Sequence, residues 1–298
     1  MQEELIRFTA DAADAGQTVR EVLQKRYGVS RRLLIRAKFK GLITRNGTLV
    51  FVNERLQAGD EIVVLVNEEE TEAVAPEEMP LVIRYEDEDL MVIAKPAGLV
   101  VHPTGNHASG TLANGVIAYW KRQGEKRRFR AVNRLDKDTS GLLIIAKNQW
   151  AHEQFSRMQQ DRSLKRTYLA IAEGIVEPGA GTMDEPIGLA ENSFITRQVR
   201  ADGQSAVTHF RVLTHGEGMS FVELRLETGR THQIRVHMSH RGHPLAGDDL
   251  YGGARTHIGR QALHAVELAF VHPRSGNEMH FREPIPEDMQ QLLNQFFR

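Results

Sequence analysis

The sequence predicts an α+β fold: a mixed, largely antiparallel sheet with several helices, preceded by a small helix-helix-strand module. Three observations carry this expectation. From Leu81 onward, apolar stretches of strand length alternate irregularly with helical ones, and strands follow turns as often as helices, which disfavours a doubly wound sheet. Charge is segregated along the chain: residues 20–45 hold nine basic side chains and one acid, residues 67–88 nine acids and one arginine. No G-x-G-x-x-G or Walker A string is present, so nothing points to a nucleotide cofactor.

The elements follow in order. TVREVLQKRY (18–27) fits a first helix, and Ser30 caps a second, RRLLIRAKFK, with Gly41 as its stop. On that second helix Leu33, Leu34 and Ala37 make the buried side, while Arg32, Arg36 and Lys40 form an exposed stripe beside Arg31. An Asn46-Gly47 turn predicts a hairpin, followed by the strand EIVVLV. The module spans 1–66. Residues 67–80, acidic and with two prolines, read as a linker, and 81–298 form the larger domain. There, strands are expected at LVIRY, LMVIAK, LLIIAK, TYLAIAEG, AVTHFRVL, SFVELRLE and LHAVELAFV. Helices are expected at TLANGVIAYWKR, WAHEQFSRMQ, THQIRVHMSH and PEDMQQLLNQFF.

Composition removes several functions. A chain of 298 residues without cysteine can use neither disulfides, thiolate metal sites nor a cysteine nucleophile. The N-terminus lacks a leader pattern and the longest apolar runs are about five residues, so a cytoplasmic protein is expected. The basic segment suggests an anionic partner, nucleic acid being the commonest.

Three segments could carry chemistry. NRLDKDTSGLLIIAK (133–147) is open to two readings, a turn or a catalytic loop at a strand end whose carboxylate acts as nucleophile. A calcium loop is a third that fails, because Lys147 stands where a bidentate Glu is required. In LETGRTHQIRVHMSHRGHPLAGDDLYGG (226–253), His232, His237, His240 and His243 lack the spacing of a zinc site, and no metal is expected. Arg230, Arg235 and Gln233 there supply multi-pronged donors for a carboxylate or phosphate. KPAGLVVHPTGN (95–106) reads as a loop held in one shape beside the core. RRFRAVNR (127–134) leads a basic run into Asp136, as a phosphate-tracking groove would.

At KPAGLVVHP, NRLDKDTSGLLIIAKN, KRTYLAIAEG, LETGRTHQIRVHMSHRGHPLAGDDLYGG and LHAVELAFVHPRSG the sequence resembles the large-subunit-rRNA (Rlu-type) pseudouridine synthases, in the family's order and over nearly all of 81–282. The N-terminal module resembles the S-four RNA-binding domain. The resemblance implies a pseudouridine synthase fold for the larger domain and isomerisation of uridine in RNA without cofactor or metal. It implies that Asp136 is the catalytic aspartate, that Tyr168 stacks on the target base, that Arg235 pairs with Asp136, and that Arg134 occupies the place the uridine vacates. RNA contacts are further expected from Arg31, Arg32, Arg36, Lys40, Arg230 and Gln233. An adjacent guanidinium favours an ionised carboxylate, and an everted base needs stacking compensation. One departure stands out: the family commonly has His before R-L-D, where this chain has Asn133. The N-terminal module leans the expected substrate towards ribosomal RNA, with tRNA or a role as an inactive assembly factor as alternatives. A monomer without membrane association is expected.

Overall fold

A computed structural model describes residues 2–39, 42–67, 74–104, 108–191 and 193–297. The N-terminal part comprises β1 (Gln2–Thr9), α1 (Val19–Lys25), α2 (Arg31–Phe39), β2 (Ile43–Arg45), β3 (Thr48–Leu49) and β4 (Glu61–Asn67), with sheet order β1-β4-β2-β3. A capping box starts α1: the Thr18 hydroxyl accepts from the Glu21 amide while the Glu21 carboxylate accepts from the Thr18 amide. The Ser30 hydroxyl accepts from the Leu33 amide and opens α2. Asn46 and Gly47, both at positive φ (51° and 79°), make the turn between β2 and β3.

β1 escaped the sequence reading for a physical reason. Its pairing with β4 shifts register between Glu4 and Ile6, so Leu5 is an extra residue and both Leu5 and Ile6 are 2% exposed. A bulge of this kind erases the alternation by which a strand is recognised. The strand closes the sheet over Val19, Val22, Leu23, Leu33 and Leu34 from the two helices.

The larger part holds β5 (Val82–Glu86), β6 (Leu90–Lys95), α3 (Leu112–Arg122), β7 (Ser140–Ala146), α4 (Gln149–Gln160), β8 (Lys165–Glu173), β9 (Ala180–Met183), β10 (Ile187–Leu189), β11 (Arg197–Val199), β12 (Thr208–Gly216), β13 (Met219–Leu226), α5 (Gln233–His240), β14 (Leu263–Val271), β15 (Glu278–Arg282) and α6 (Glu287–Phe296). The main sheet runs β5-β6-β7-β14-β8-β13-β12-β9, with β15 beside β14. All its pairings are antiparallel except β7 with β14, so the expected α+β architecture holds. β9, β10, β11 and β15 are short strands absent from the sequence reading. No helix among the described residues is long and apolar enough to cross a membrane.

The acidic span read as a linker divides. Residues 68–73 lie outside the described residues, whereas 74–80 pack on the larger domain. Val74 is buried in its core, the Asn114 amide donates to the Ala75 carbonyl at 2.7 Å, and the Glu77 carboxylate accepts from the Gly110 amide at 2.8 Å. The two parts also share an apolar cluster in which Trp150 and Ala151 of α4 meet Tyr27 and Val29. Trp150 Nε1 donates to the Tyr27 carbonyl at 2.7 Å, and the Gln154 amide to that of Gly28 at 2.9 Å. Arg274, bound to Asp89 and lying over the Trp150 ring, donates to the Leu5 carbonyl at 3.0 Å.

Candidate active site

The loop 133–139 is held at both ends by backbone-level constraints. At its exit, Gly141 (φ 114°) begins the close parallel approach of β7 to β14: a Cβ there would lie 2.2 Å from the Ala265 carbonyl oxygen. At its entry, buried Asn133 accepts from the Ile144 amide at 2.9 Å, pairing with β7 as a neighbouring strand would. This position, where the family commonly has His, therefore serves the backbone. Between them, the Thr139 amide donates to the Asp136 carbonyl and closes the turn that presents the Asp136 side chain.

Lys95, at the end of β6, ties this loop to the K-P-A-G turn. Its buried ammonium donates to the carbonyls of Pro96, Leu99 and Lys137, each at 2.8 Å. Burial pulls the amine down to about 7, against the charges of Asp138 and Asp136 that favour its protonated form.

Across the loop stands α5. His232 at its N-cap adopts a left-handed conformation (φ 59°), so the helix starts at Gln233, two residues later than expected. Arg235 then points back at the loop: its Nη1 donates to Asp136 Oδ2 at 3.0 Å, while Nε and Nη2 grip both oxygens of Asp248 at 2.7 and 2.8 Å. Asp248 is 1% exposed. The guanidinium lies 4.9 Å from the Tyr251 ring centroid, and the Tyr251 hydroxyl lies 2.7 Å from His232 Nδ1. Burial works against the charge of Arg235, yet its hydrogen bonds to Asp248 and the charge of Asp136 more than offset it and hold the group above the ordinary arginine value. His232 Nε2 sits 3.9 Å from Asp136 Oδ2, and burial lowers the imidazole's pKa.

Tyr168, central in β8, forms a further wall. It is 5% exposed, its hydroxyl makes no hydrogen bond among the described residues, and burial raises the phenol above its usual value, so it stays protonated at neutral pH. Asp136, Tyr168, Arg134, Arg230, His232 and Arg235 enclose about 50 Å³, room for a water or two. This small pocket opens into a groove of about 860 Å³ whose wall carries Arg134, Lys137, Arg162, Arg166 and Arg230.

Several expected residues fall elsewhere. Gln233, expected to contact RNA, is buried with both ends of its amide occupied. It accepts from the Thr228 hydroxyl and the Arg230 amide and donates to the Val207 carbonyl and Thr208 hydroxyl. It holds the 228–230 turn and is corrected to a structural residue. Arg230 is exposed at the groove, its guanidinium steadied by the Ser205 carbonyl and Gln204. Arg31 and Arg32 are exposed on α2; Lys40 and the side chain of Arg36 lie outside the described residues. The histidines of 232–243 do not converge: His237 engages Thr208 and the Glu185 carbonyl, His243 the Glu173 carbonyl. Asp87, Asp89 and His272 are close enough together to hold an ion, but His272 already bonds Asp87 at 2.7 Å and Arg274 bonds Asp89 at 2.6 Å.

Asp248, Tyr251, Lys95 and Arg166 were not singled out from the sequence, and His232 was weighed there only as a metal ligand. A lysine closing the fully apolar strand LMVIA was the one available signal; the others depend on contacts far apart in the chain.

A mixed, largely antiparallel sheet with a carboxylate and arginine at the floor of a small pocket, opening on a cationic groove, fits an enzyme that acts on a polyanion. Residues 89–240 match the family model described as RNA pseudouridylate synthase, and the chain belongs to that family. It is an isomerase acting on RNA. It is 46% identical to the uncharacterized RNA pseudouridine synthase YjbO of Bacillus subtilis over 89% of this chain and 95% of that protein. It is 41% identical to ribosomal large subunit pseudouridine synthase D of Escherichia coli over 80% of this chain and 78% of that protein. Among solved structures it is similar to human RNA pseudouridylate synthase domain containing 4, with a TM-score of 0.59 and 25% identity over 72% of this chain and 92% of that one.

Proposed function

We propose that the chain converts specific uridines of large-subunit ribosomal RNA to pseudouridine, with Asp136 as the catalytic carboxylate, Arg235 orienting it, Tyr168 stacking on the everted base and Arg134 filling the vacated place in the RNA. The observation that carries this reading is the buried Asp248–Arg235–Asp136 chain, which fixes one carboxylate oxygen opposite Tyr168 at the mouth of a cationic groove. Ribosomal RNA as the substrate is supported by the Escherichia coli relative, whose name gives that target.

The chemistry asks for little more. The bond from N1 of the uracil to the anomeric carbon breaks, the base turns, carbon 5 joins the sugar, carbon 5 gives up its proton and N1 gains one; nothing is oxidised or hydrolysed. A carboxylate held by a permanent cation acts as nucleophile or stabilises the oxocarbenium-like state. Tyr168 offers the base a stacking face, typically worth about 1–3 kcal/mol per base. The small pocket admits a base only if its walls part, and displacing a stacked base costs a few kcal/mol, which the groove cations offset. The enzyme works as a monomer in the cytoplasm, the former checked by light scattering.

Asp136→Asn is expected to abolish pseudouridine formation in a ribosomal RNA transcript while leaving RNA binding and melting temperature near wild type; near-normal turnover would sink the assignment. Pseudouridine maps of total RNA from a deletion strain and its parent identify the target. A site lost from tRNA alone would transfer the reading to tRNA, and no lost site would favour an inactive assembly factor.

A further inference from the structure

We propose that Arg166 seats a backbone phosphodiester of the RNA beside the base pocket, a role that rests on the groove being the path of the RNA. Arg166 lies two residues before Tyr168 on β8, so the two side chains share one face of the sheet. It is 7% exposed, yet its Nη2 has only the Thr228 carbonyl, at 3.2 Å, and its Nε is buried with no hydrogen-bond partner. Among the described residues no carboxylate stands within ion-pair distance of it. Of the two acids on the groove wall, Asp136 is bound by Arg235 at 3.0 Å and Glu227 is taken by Arg162 and His209, each at 2.7 Å. Other buried arginines are treated differently: Arg235 has Asp136 and Asp248, and Arg260 has Asp288.

A guanidinium withdrawn from water without a counter-charge is unfavourable. It persists where an anion arrives to complete it, and its planar fork matches the oxygens of a phosphate. Arg166 lines the groove but not the small pocket of Asp136, Tyr168 and Arg235, so it flanks the base site, where the sugar-phosphate of an everted nucleotide has to run. Gly229 completes the arrangement: a Cβ there would lie 3.0 Å from Arg166 Nη1, so the bare backbone lets the guanidinium stay in place under the turn.

The test uses the full chain with Arg166→Gln and Arg166→Lys, a large-subunit ribosomal RNA transcript and, in parallel, bulk tRNA. Affinity is measured across a KCl series, alongside single-turnover rate at saturating RNA and thermal melting. Arg166→Gln is expected to weaken binding about 10- to 100-fold and to flatten the slope of log affinity against log salt by about 0.7–0.9, one phosphate's worth. The rate at saturation should fall less than the affinity. Arg166→Lys should keep the slope and recover part of the affinity. Melting should be unchanged or higher, because an unpaired buried cation has been removed. Wild-type affinity and slope in Arg166→Gln would overturn the proposal, as would a lower melting temperature with an unchanged slope, which marks a structural role. A wild-type protein that binds neither RNA in a salt-dependent way would instead overturn the reading of the groove.

Discussion

The catalytic pocket and the N-terminal module both present arginines, and they treat them in opposite ways. In the pocket Arg235 is buried, held by the three hydrogen bonds it donates to two carboxylates and laid against an aromatic ring. On α2, Arg31 and Arg32 are exposed, and among the described residues no carboxylate pairs with either. A buried, charge-paired cation fixes geometry and is screened little by salt. An exposed one attracts phosphate at a distance and is screened within about 8–10 Å at ordinary ionic strength. Under the proposed function, chemistry falls to paired charge and capture to unpaired charge. The contact of Trp150 with Tyr27 joins the two regions, so the capturing surface is carried by the same body as the pocket.

Short of replacing Asp136 itself, the largest expected effect comes from weakening the paired side without touching the carboxylate proposed to react. Asp248→Asn leaves Arg235 one neutral acceptor in place of a bidentate anion, freeing it to swing towards Asp136 and turn that carboxylate. Misplacement on the scale of 1 Å costs about 100-fold in rate, so kcat should fall by about that factor with KM little changed, as single-turnover and steady-state assays would report. A change confined to KM would mean that the pair serves binding, and the contrast between the regions would collapse. Because Asp248 is buried, a melting curve is needed to show that the variant folds.

A smaller effect is expected from pH. The three carbonyls around Lys95 match the three donors of an ammonium, whereas a neutral amine has two. Burial lowers this lysine to about 7. Below that value the tie between the K-P-A-G turn and the Asp136 loop is complete; as pH rises through it one carbonyl is released, so the single-turnover rate should decline on the alkaline side. Lys95→Met should be slower by about tenfold at pH 6, given that loop misplacement of a fraction of an ångström suffices for it, and should lack that decline. If the decline persists in Lys95→Met, another group is responsible.

What the sequence made legible follows the same division. Long apolar strands such as β6 and β7 were readable because burial on both faces leaves unbroken apolar runs, and the pairing of Arg235 with Asp136 was readable because both stand in dense, specific strings. β1 was not, since its bulge places Leu5 and Ile6 in the core side by side. Asp248 was not legible, because its role exists only once the chain folds it against Arg235. Gln233 was misread for the converse reason: a side chain rich in donors looks like a ligand until the fold occupies them. Arg166 is defined by a missing partner, which no local pattern can display.

The smallest expected effect tests the unpaired side. Each exposed cation that neutralises one phosphate contributes about 0.7–0.9 to the salt slope and little to geometry. Arg32→Gln should therefore flatten the slope by that amount and weaken binding several-fold at low salt, with kcat at saturating RNA unchanged. Asp248→Asn should do the reverse, lowering kcat at an unaltered slope. Because the two positions share no partners, their effects on overall efficiency should add within about 0.5 kcal/mol in the double variant. A larger interaction would show that the docked module transmits the arrival of RNA to the pocket, and that capture and chemistry are coupled through the α4 contact.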